Sequence, residues 1–338
     1  MPFNHYTLPK FLIVRFSSIG DIVLTTPIIR CIKQQVSDAE VHYLTRSPFK
    51  EVLSGNPYID KLFILENKLS SILPLLKNEK YDAIIDLHHN QRSWLVKLNL
   101  KSPGYSFHKL NIEKWLMVNF KLNRLPKRHI VDRYFDVVKR FGVKYDGGGL
   151  DFFIQAEAKR ILEKLPETHQ QKFLAFVIGA KHATKRLPVD KIINLCNKIQ
   201  TPIILLGGHE DEQKGCDIAS AVGSKVFSAC GKTTLHESAA LIEAAEYIIS
   251  HDTGMMHIAA GLQKKIISVW GNTIPEFGMY PFYNDENGGS NKGLSTIVEV
   301  KNLSCRPCSK IGFDKCPKGH FDCMNKIDEK EILRRISD

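Results

Sequence analysis

A carboxylate at the end of the first apolar run is the clearest candidate for chemistry in this sequence. Asp21 closes the turn Ser17-Ser18-Ile19-Gly20-Asp21, which follows the apolar residues 11–14 and precedes a helical pattern. A strand that ends in a glycine-containing turn and opens a helix is a common ligand site of open α/β sheets. The turn matches neither of the glycine-rich phosphate motifs. We therefore expect Asp21 to handle a proton rather than a phosphate; a helix N-cap is the simpler alternative.

A second turn of this kind lies in the other half of the chain. The apolar run 247–250 ends in His251-Asp252-Thr253-Gly254, and a helical pattern follows at 255–262. Backbone amides and the dipole at such a helix start favour a diphosphate, to which Thr253 can donate its hydroxyl. Gly254 lets the backbone approach a ligand closely. His257 lies four residues after Thr253 on the same helix face, although a core histidine is the commoner explanation for a single His.

Charged residues follow two further strand-like runs. Lys185 and Arg186 lie on a polar loop after 173–178 and can neutralise a diphosphate leaving group; a solvated basic loop is the alternative. Glu210 follows Gly207-Gly208-His209, and a carboxylate at a helix start can accept both hydroxyls of a ribose. A favourable charge in the first helical turn explains Glu210 about equally well.

Strand-like apolar runs alternate with helical segments along most of the chain. The predicted strands are 11–15, 41–44, 61–65, 82–87, 173–178, 202–206, 226–227, 247–250 and 265–270. This alternation predicts an α/β protein with two largely parallel sheets, and the length of 338 residues suits two domains. We place the domains at 1–155 and 156–338, joined by the glycine-rich stretch and short extended piece 146–154.

Composition restricts the location and the partners of the chain. The sequence is 43% hydrophobic and carries a net charge of +11. No run reaches the roughly 18–20 apolar residues of a spanning helix, and residues 1–10 lack a signal-peptide core, so we expect a cytoplasmic protein. The charge favours an anionic membrane surface or phosphorylated glycolipid, with a basic cluster at Lys121, Arg124, Lys127, Arg128 and His129. Nucleic acid is not expected, because no recognition motif accompanies the charge.

Taken in order, these motifs resemble glycosyltransferase family 9, the ADP-heptose:lipopolysaccharide heptosyltransferases. The matching pieces are Ser17 to Asp21, Thr25-Thr26-Pro27, Lys185-Arg186-Leu187-Pro188, Leu205 to Glu210, Asp252 to Ala260 and Val269 to Thr273. The resemblance runs from about residue 11 to 336. It implies the GT-B fold, with two Rossmann-like domains whose parallel sheets face a central cleft. It also implies inverting, metal-independent transfer from an ADP-sugar to a lipopolysaccharide core acceptor, at the cytoplasmic face of the inner membrane.

The resemblance assigns roles to individual residues. Asp21 becomes the general base, and Asp252 is expected to hold sugar hydroxyls because a carboxylate would repel a diphosphate. The expected nucleotide-sugar contacts are Lys185, Arg186, Glu210, Asp252, Thr253, Gly254 and His257, and Ser17, Ser18 and Gly20 are expected to contact the acceptor or sugar phosphate. Ordinary turn chemistry also explains those last three residues. Leu187 stands where family members usually have tryptophan.

Two other functions stay open at this point. One is a GT-B transferase that uses another nucleotide sugar or acceptor, since Asp252 and Lys185 would serve any diphosphate sugar. The other is a nucleotide-sugar-binding protein without catalysis, against which the presence of Asp21 argues. Acceptor contacts are expected from the loops within 88–110, which carry His88, His89, Arg92 and Lys109.

Four cysteines near the C-terminus have metal-like spacing in one half only. They form the pattern Cys305-x2-Cys308-x7-Cys316-x6-Cys323, with His320 between the last two. The C-x2-C half is typical of a zinc site, whereas the second half is irregular. Free thiols are the favoured interpretation, a structural zinc site is the second and a disulfide is the third, because a cytoplasmic setting disfavours disulfides. No cofactor is expected for catalysis.

Overall fold

Short apolar runs form the strands of two parallel sheets. The computed structural model describes residues 8–284 and 293–337. Within them the chain forms two compact units: 8–109 and 128–153 make the first, and 110–127, 154–283 and 293–337 make the second. The main passage between units, near residue 154, is next to the boundary expected from the sequence. Residues 110–127 also belong to the second unit, although the sequence pattern does not predict this.

The elements up to residue 138 are parallel strands with helices between most of them. In chain order they are β1 (Lys10–Val14), α1 (Ile19–Val23), α2 (Thr26–Gln35), β2 (Glu40–Arg46), β3 (Lys61–Leu65), α3 (Leu69–Glu79), β4 (Ala83–Asp86), α4 (Gln91–Leu100), β5 (Gly104–Ser106), α5 (Asn111–Phe120) and α6 (Ile130–Val138). The first sheet has the order β3-β2-β1-β4-β5 with all pairs parallel. Helix α5 belongs to the second unit.

The second unit repeats the same pattern. Its later elements are β6 (Leu174–Val177), α7 (Val189–Lys198), β7 (Ile203–Leu206), α8 (Glu212–Val222), β8 (Val226–Ser228), α9 (Leu235–Ala244), β9 (Tyr247–His251), α10 (Gly254–Gly261), β10 (Lys265–Trp270), β11 (Ser295–Glu299), α11 (Asp322–Asn325) and α12 (Glu329–Ser337). The sheet order is β11-β10-β9-β6-β7-β8, again parallel. The expected α/β class with two parallel sheets is therefore confirmed.

The burial of the strands explains why their sequences are continuously apolar. Strands β4, β6 and β7 are buried along their whole length, because helices cover both faces of a parallel sheet. Parallel pairing also brings the carboxyl ends of neighbouring strands to one edge, as shown by the pairing of Val14 with Asp86. That edge is where ligands bind in open α/β sheets.

The helical pattern predicted after Asp21 is not one continuous helix in the structure. Helix α1 ends before Thr25, and α2 begins at Thr26 with Pro27 in its first turn. Proline lacks an amide hydrogen and fits a first turn, not a helix interior. The stretches 47–52 and 156–164 are 3₁₀ helices. Among the described residues, no helix has the length and apolarity needed to cross a bilayer.

Candidate functional site

Asp21 lies in the first turn of α1, directly beyond the end of β1. Its Oδ2 accepts hydrogen bonds from the Ser18 backbone amide at 3.1 Å and the Ser18 hydroxyl at 2.7 Å. Ser18 is therefore the N-cap, and Asp21 completes the cap from the third helical position. The alternative in which Asp21 itself is the N-cap is wrong. About 20% of the Asp21 side chain is exposed, so it can still reach a substrate.

Arg15 is a partner of Asp21 that the sequence analysis missed. One guanidinium nitrogen is 2.5 Å from Asp21 Oδ1. The same buried group donates to the carbonyl oxygens of Ser17, at 2.8 Å, and Leu87, and lies 3.3 Å from the Tyr134 hydroxyl. Burial opposes the charge on Arg15, but Asp21 raises its pKa above the ordinary value. Arg15 therefore fixes the orientation of the Asp21 carboxylate.

The end of β4 brings further polar groups to the same edge of the first sheet. Asp86 is fully buried and accepts hydrogen bonds from the backbone amides of His88 and His89, at 3.1 and 2.6 Å. Burial and the charge of Arg15 lower the pKa of His88 to about 4, so its ring is neutral near pH 7. The His88 and Phe16 rings lie 5.1 Å apart. The expected acceptor role of His88 and of its neighbours stays a prediction.

Lys185, Asp252 and Thr273 converge at the carboxyl edge of the second sheet. The Lys185 ammonium is 2.6 Å from Asp252 Oδ2, and the Thr273 hydroxyl donates to the same oxygen at 2.8 Å. These residues follow β6, β9 and β10, three strands that are adjacent in the sheet. Both charged side chains keep some exposure. The arrangement pairs a cation with a carboxylate, so an incoming diphosphate can compete for the ammonium.

Helix α10 begins immediately beside this ion pair. Thr253 is its N-cap and Gly254 its first residue, so the first-turn amides of α10 lie next to Asp252. The hydroxyl of Thr253 is 3.4 Å from that of Ser250. His257 is only 2% exposed, one turn into the helix. Thr253 and Gly254 thus lie at a helix start, as the sequence pattern predicts, and the donor contacts expected of these two residues and of His257 stay predictions.

Arg186 lies beside Asp211, a carboxylate that the sequence analysis did not single out. Its guanidinium donates to the Ala180 carbonyl at 2.6 Å and lies 3.4 Å from Asp211 Oδ1. Asp211 is buried, accepts from the Gly208 amide at 3.2 Å and was missed by the sequence analysis. A Cβ on Gly179 would approach Asp211 Oδ2 to 2.3 Å, which explains a glycine at that strand end. Glu210 is exposed beside this group, and its expected ribose contact stays a prediction.

A buried histidine fixes the loop that carries Lys185. The Leu187 backbone amide donates to His251 Nε2 at 3.0 Å. Burial lowers the pKa of His251 to about 3, so the ring stays neutral and can accept this bond. Leu187 is itself buried in the core of the second unit. The loop that carries Lys185 is therefore held in place through its neighbour Leu187.

The segment after β11 supports the loops at the carboxyl edge of the second sheet. The largely buried Arg306 guanidinium donates to the carbonyls of Gly271 at 2.6 Å and Thr273 at 2.8 Å, and pairs with Glu299 at 2.6 Å. In the same segment, the Phe313 amide donates to the Thr184 hydroxyl at 2.8 Å. The segment thus holds both the loop with Thr273 and the loop with Lys185.

The eight cysteines are free thiols in this structure. Cys305 Sγ lies 3.8 Å from His320 Nε2, and the Cys308 thiol donates to the Cys305 carbonyl at 3.1 Å. Burial raises the pKa of the Cys323 thiol to about 12. No disulfide joins these cysteines. Both the free-thiol interpretation and metal binding by Cys305, Cys308, Cys316 and Cys323 stay predictions.

A different group has metal-like spacing in the first unit. Within the described residues, Glu40, His42 and Glu79 are the one set of three or more potential ligands whose atoms lie within 4.8 Å of one another. The Lys10 ammonium is 3.0 Å from both carboxylates, and Lys61 pairs with Glu79. Because lysines already neutralise the carboxylates, we interpret this group as an ion-pair network.

Comparisons with known proteins agree with this architecture. The family model for glycosyltransferase family 9 (heptosyltransferase) matches residues 71–308. Lipopolysaccharide heptosyltransferase 1 of Campylobacter coli is 25% identical, over 97% of this chain and 98% of that protein.

Two solved structures share the fold of nearly the whole chain. A family 9 glycosyl transferase from Veillonella parvula has a TM-score of 0.76 at 21% identity, covering 99% of this chain and 98% of that one. The ADP-heptose lipopolysaccharide heptosyltransferase II of Escherichia coli has a TM-score of 0.72 at 18% identity, covering 97% of both chains. The expected GT-B fold class is therefore confirmed.

Proposed function

The chain belongs to glycosyltransferase family 9, and we propose that it is an inverting transferase that moves a heptose or similar sugar from an ADP-sugar to a lipopolysaccharide core acceptor. The observation that carries the proposal is the convergence of Lys185, Asp252 and Thr273 beside the start of α10. The names of the relatives support heptose as the sugar and ADP as the nucleotide.

The second unit binds the donor in this proposal. The diphosphate lies at the start of α10, where the first-turn amides and the Thr253 hydroxyl donate to its oxygens. Lys185 exchanges its contact with Asp252 for the diphosphate and compensates the charge that develops on the departing ADP. Asp252, held by Thr273, accepts hydrogen bonds from sugar hydroxyls, and Glu210 accepts from the ribose.

The first unit supplies the base. The acceptor hydroxyl oxygen forms a bond to the anomeric carbon while the bond from that carbon to the diphosphate oxygen breaks. Asp21 takes the hydroxyl proton, and the electron pair of the broken bond leaves with ADP. A single in-line displacement of this kind inverts the anomeric configuration. Arg15 keeps the carboxylate in one orientation throughout.

The proposed acceptor implies a cellular location for the reaction. A lipopolysaccharide precursor is an acidic glycolipid anchored in a membrane, so the enzyme would act at the cytoplasmic face of the inner membrane. The net charge of +11 favours contact with both the acceptor and the anionic membrane surface.

Nucleotide sugars can be ranked by their effect on thermal unfolding. We expect ADP-heptose to raise the midpoint more than GDP- or UDP-sugars do, since a ligand at 100 times its Kd stabilises the folded state by about 2.7 kcal/mol. ADP alone serves as the control for the nucleotide part. A larger shift with a UDP- or GDP-sugar would make the ADP-heptose assignment wrong and favour a related transferase. Donor binding without any turnover across a panel of acceptors would favour the non-catalytic alternative.

Chelation tests the expectation of metal-independent catalysis. Because Lys185 and the α10 amides can compensate the leaving-group charge, we expect the transfer rate to be unchanged in excess EDTA. The measurement is ADP release with and without EDTA, accompanied by thermal unfolding of the same samples. Lost activity with an unchanged unfolding midpoint would indicate a catalytic metal. Lost activity with a lowered midpoint would instead indicate a structural metal at the C-terminal cysteines.

A further inference from the structure

Helix α5 presents an unusually exposed apolar face. None of its ten residues is buried, and large apolar side chains are exposed on the helix and just after it. They are Ile112 at 72%, Trp115 at 55%, Phe120 at 59% and Leu122 at 53%. The Trp115 and Phe120 rings pack edge to face with centroids 5.2 Å apart. These aromatic and aliphatic side chains are thus exposed to water within eleven residues of the chain, and exposed apolar groups of this kind are typical of interaction surfaces.

Contacts at both ends hold this helix on the second unit. The Lys121 ammonium donates to the carbonyls of Val118 at 2.7 Å and Pro307 at 2.8 Å, which ties the end of α5 to the segment after β11. The Lys114 ammonium lies 5.9 Å from the centre of the Phe277 ring. Leu116, Met117 and Val118 are half-buried on the helix. The exposed patch thus belongs to a fixed helix rather than to a loose tail.

Free positive charge lies immediately after the patch. Of the predicted basic cluster, His129 is buried, Arg128 pairs with Asp136 at 2.8 Å, and Lys121 is bound to carbonyls. Arg124 and Lys127 are exposed, and neither has an ion-pair or hydrogen-bond partner in the described part of the chain. The two basic side chains of the cluster that have no partner in the described residues, Arg124 and Lys127, therefore both lie within seven residues of Phe120.

We propose that α5 and the following residues up to 127 dock on an anionic lipid bilayer. Ile112, Trp115, Phe120 and Leu122 enter the boundary between headgroups and acyl chains, and Arg124 and Lys127 contact lipid phosphates. Aromatic residues beside basic ones are typical of interfacial helices, because aromatic rings are favoured at the level of the headgroups and basic side chains contact the anionic lipid surface. The inference rests on the proposed function only in that a membrane-anchored acceptor gives such docking a purpose.

Co-sedimentation of the full chain with vesicles tests this surface. We expect binding to vesicles of phosphatidylethanolamine with 30% phosphatidylglycerol and much weaker binding to phosphatidylcholine vesicles. Trp115→Ser and, separately, the pair Arg124→Glu and Lys127→Glu should each lower the partition coefficient by about tenfold or more. Leu75→Ser and Lys172→Glu change side chains that are similarly exposed elsewhere and should leave binding unchanged. Thermal unfolding of each variant checks its fold.

The outcomes separate docking from catalysis. Transfer to a deacylated, water-soluble acceptor should be the same for Trp115→Ser as for the unmodified chain, because no membrane is needed there. Vesicle binding can be measured even if the proposed transfer fails. Equal binding of Trp115→Ser and the unmodified chain would overturn the proposal. A dimer that Trp115→Ser dissociates, with no binding to anionic vesicles, would also overturn it and assign the patch to a second copy of the chain.

Discussion

Asp21→Asn is expected to slow transfer by about 10²–10⁴-fold while leaving donor affinity unchanged. The amide keeps the size of the carboxylate but cannot take the acceptor proton. Donor affinity should survive because the seven expected nucleotide-sugar contacts, from Lys185 to His257, lie in the second unit. The measurement is the initial rate of ADP release at saturating donor and acceptor, paired with ADP binding by calorimetry. Asp21→Ala should give a similar loss.

Asp132 provides a matched control for the capping role of Asp21. It occupies the third position of α6, and its Oδ2 accepts from the His129 amide at 2.9 Å, just as Asp21 caps Ser18. Asp132→Asn removes the same kind of helix contact away from the expected reaction. We expect it to lower the unfolding midpoint slightly and to leave transfer unchanged. Full activity of Asp21→Asn, or equal rate losses in both variants, would show that Asp21 is a helix cap and not the base.

The sequence predicted which candidate site residues lie at strand ends, but not which side chains they contact. Lys185, Asp252 and Thr253 each follow an apolar run, and parallel strands necessarily bring their carboxyl ends to one edge. Their common location therefore follows from the pattern of apolar runs. Arg15 also follows an apolar run, but its contacts with Leu87 and Tyr134 depend on how β1 packs against distant parts of the chain. A single sequence does not encode such pairings as a local pattern.

Irregular structure accounts for the rest of what was missed. Arg306 donates to backbone carbonyls and lies in a segment without a periodic apolar pattern. The sequence therefore did not indicate its hydrogen bond to the Thr273 carbonyl. Asp211 was passed over for its neighbour Glu210, because both occupy a first helical turn and only burial distinguishes them. Helix α5 escaped prediction because its exposed apolar residues do not follow the inward-facing pattern of a core helix.

Lys185→Met is expected to weaken the binding of ADP itself by roughly 10- to 150-fold, the usual contribution of a hydrogen bond to a charged group. Methionine keeps the length of the side chain without the ammonium, and calorimetry with ADP and with ADP-heptose gives both affinities. Lys181→Met removes an exposed charge from the same loop and serves as the control.

The ion pair between Lys185 and Asp252 complicates this result, since removing the lysine also exposes a carboxylate to the diphosphate. Asp252→Asn and the double variant separate the two effects. If Asp252 holds sugar hydroxyls, its replacement weakens the binding of ADP-heptose but not the binding of ADP. The loss of ADP affinity in Lys185→Met should then persist in the double variant. Restoration of ADP affinity in the double variant would mean that Lys185 only screens Asp252. In that case the α10 amides and Thr253 alone would have to bind the diphosphate, and the leaving-group role of Lys185 would be wrong.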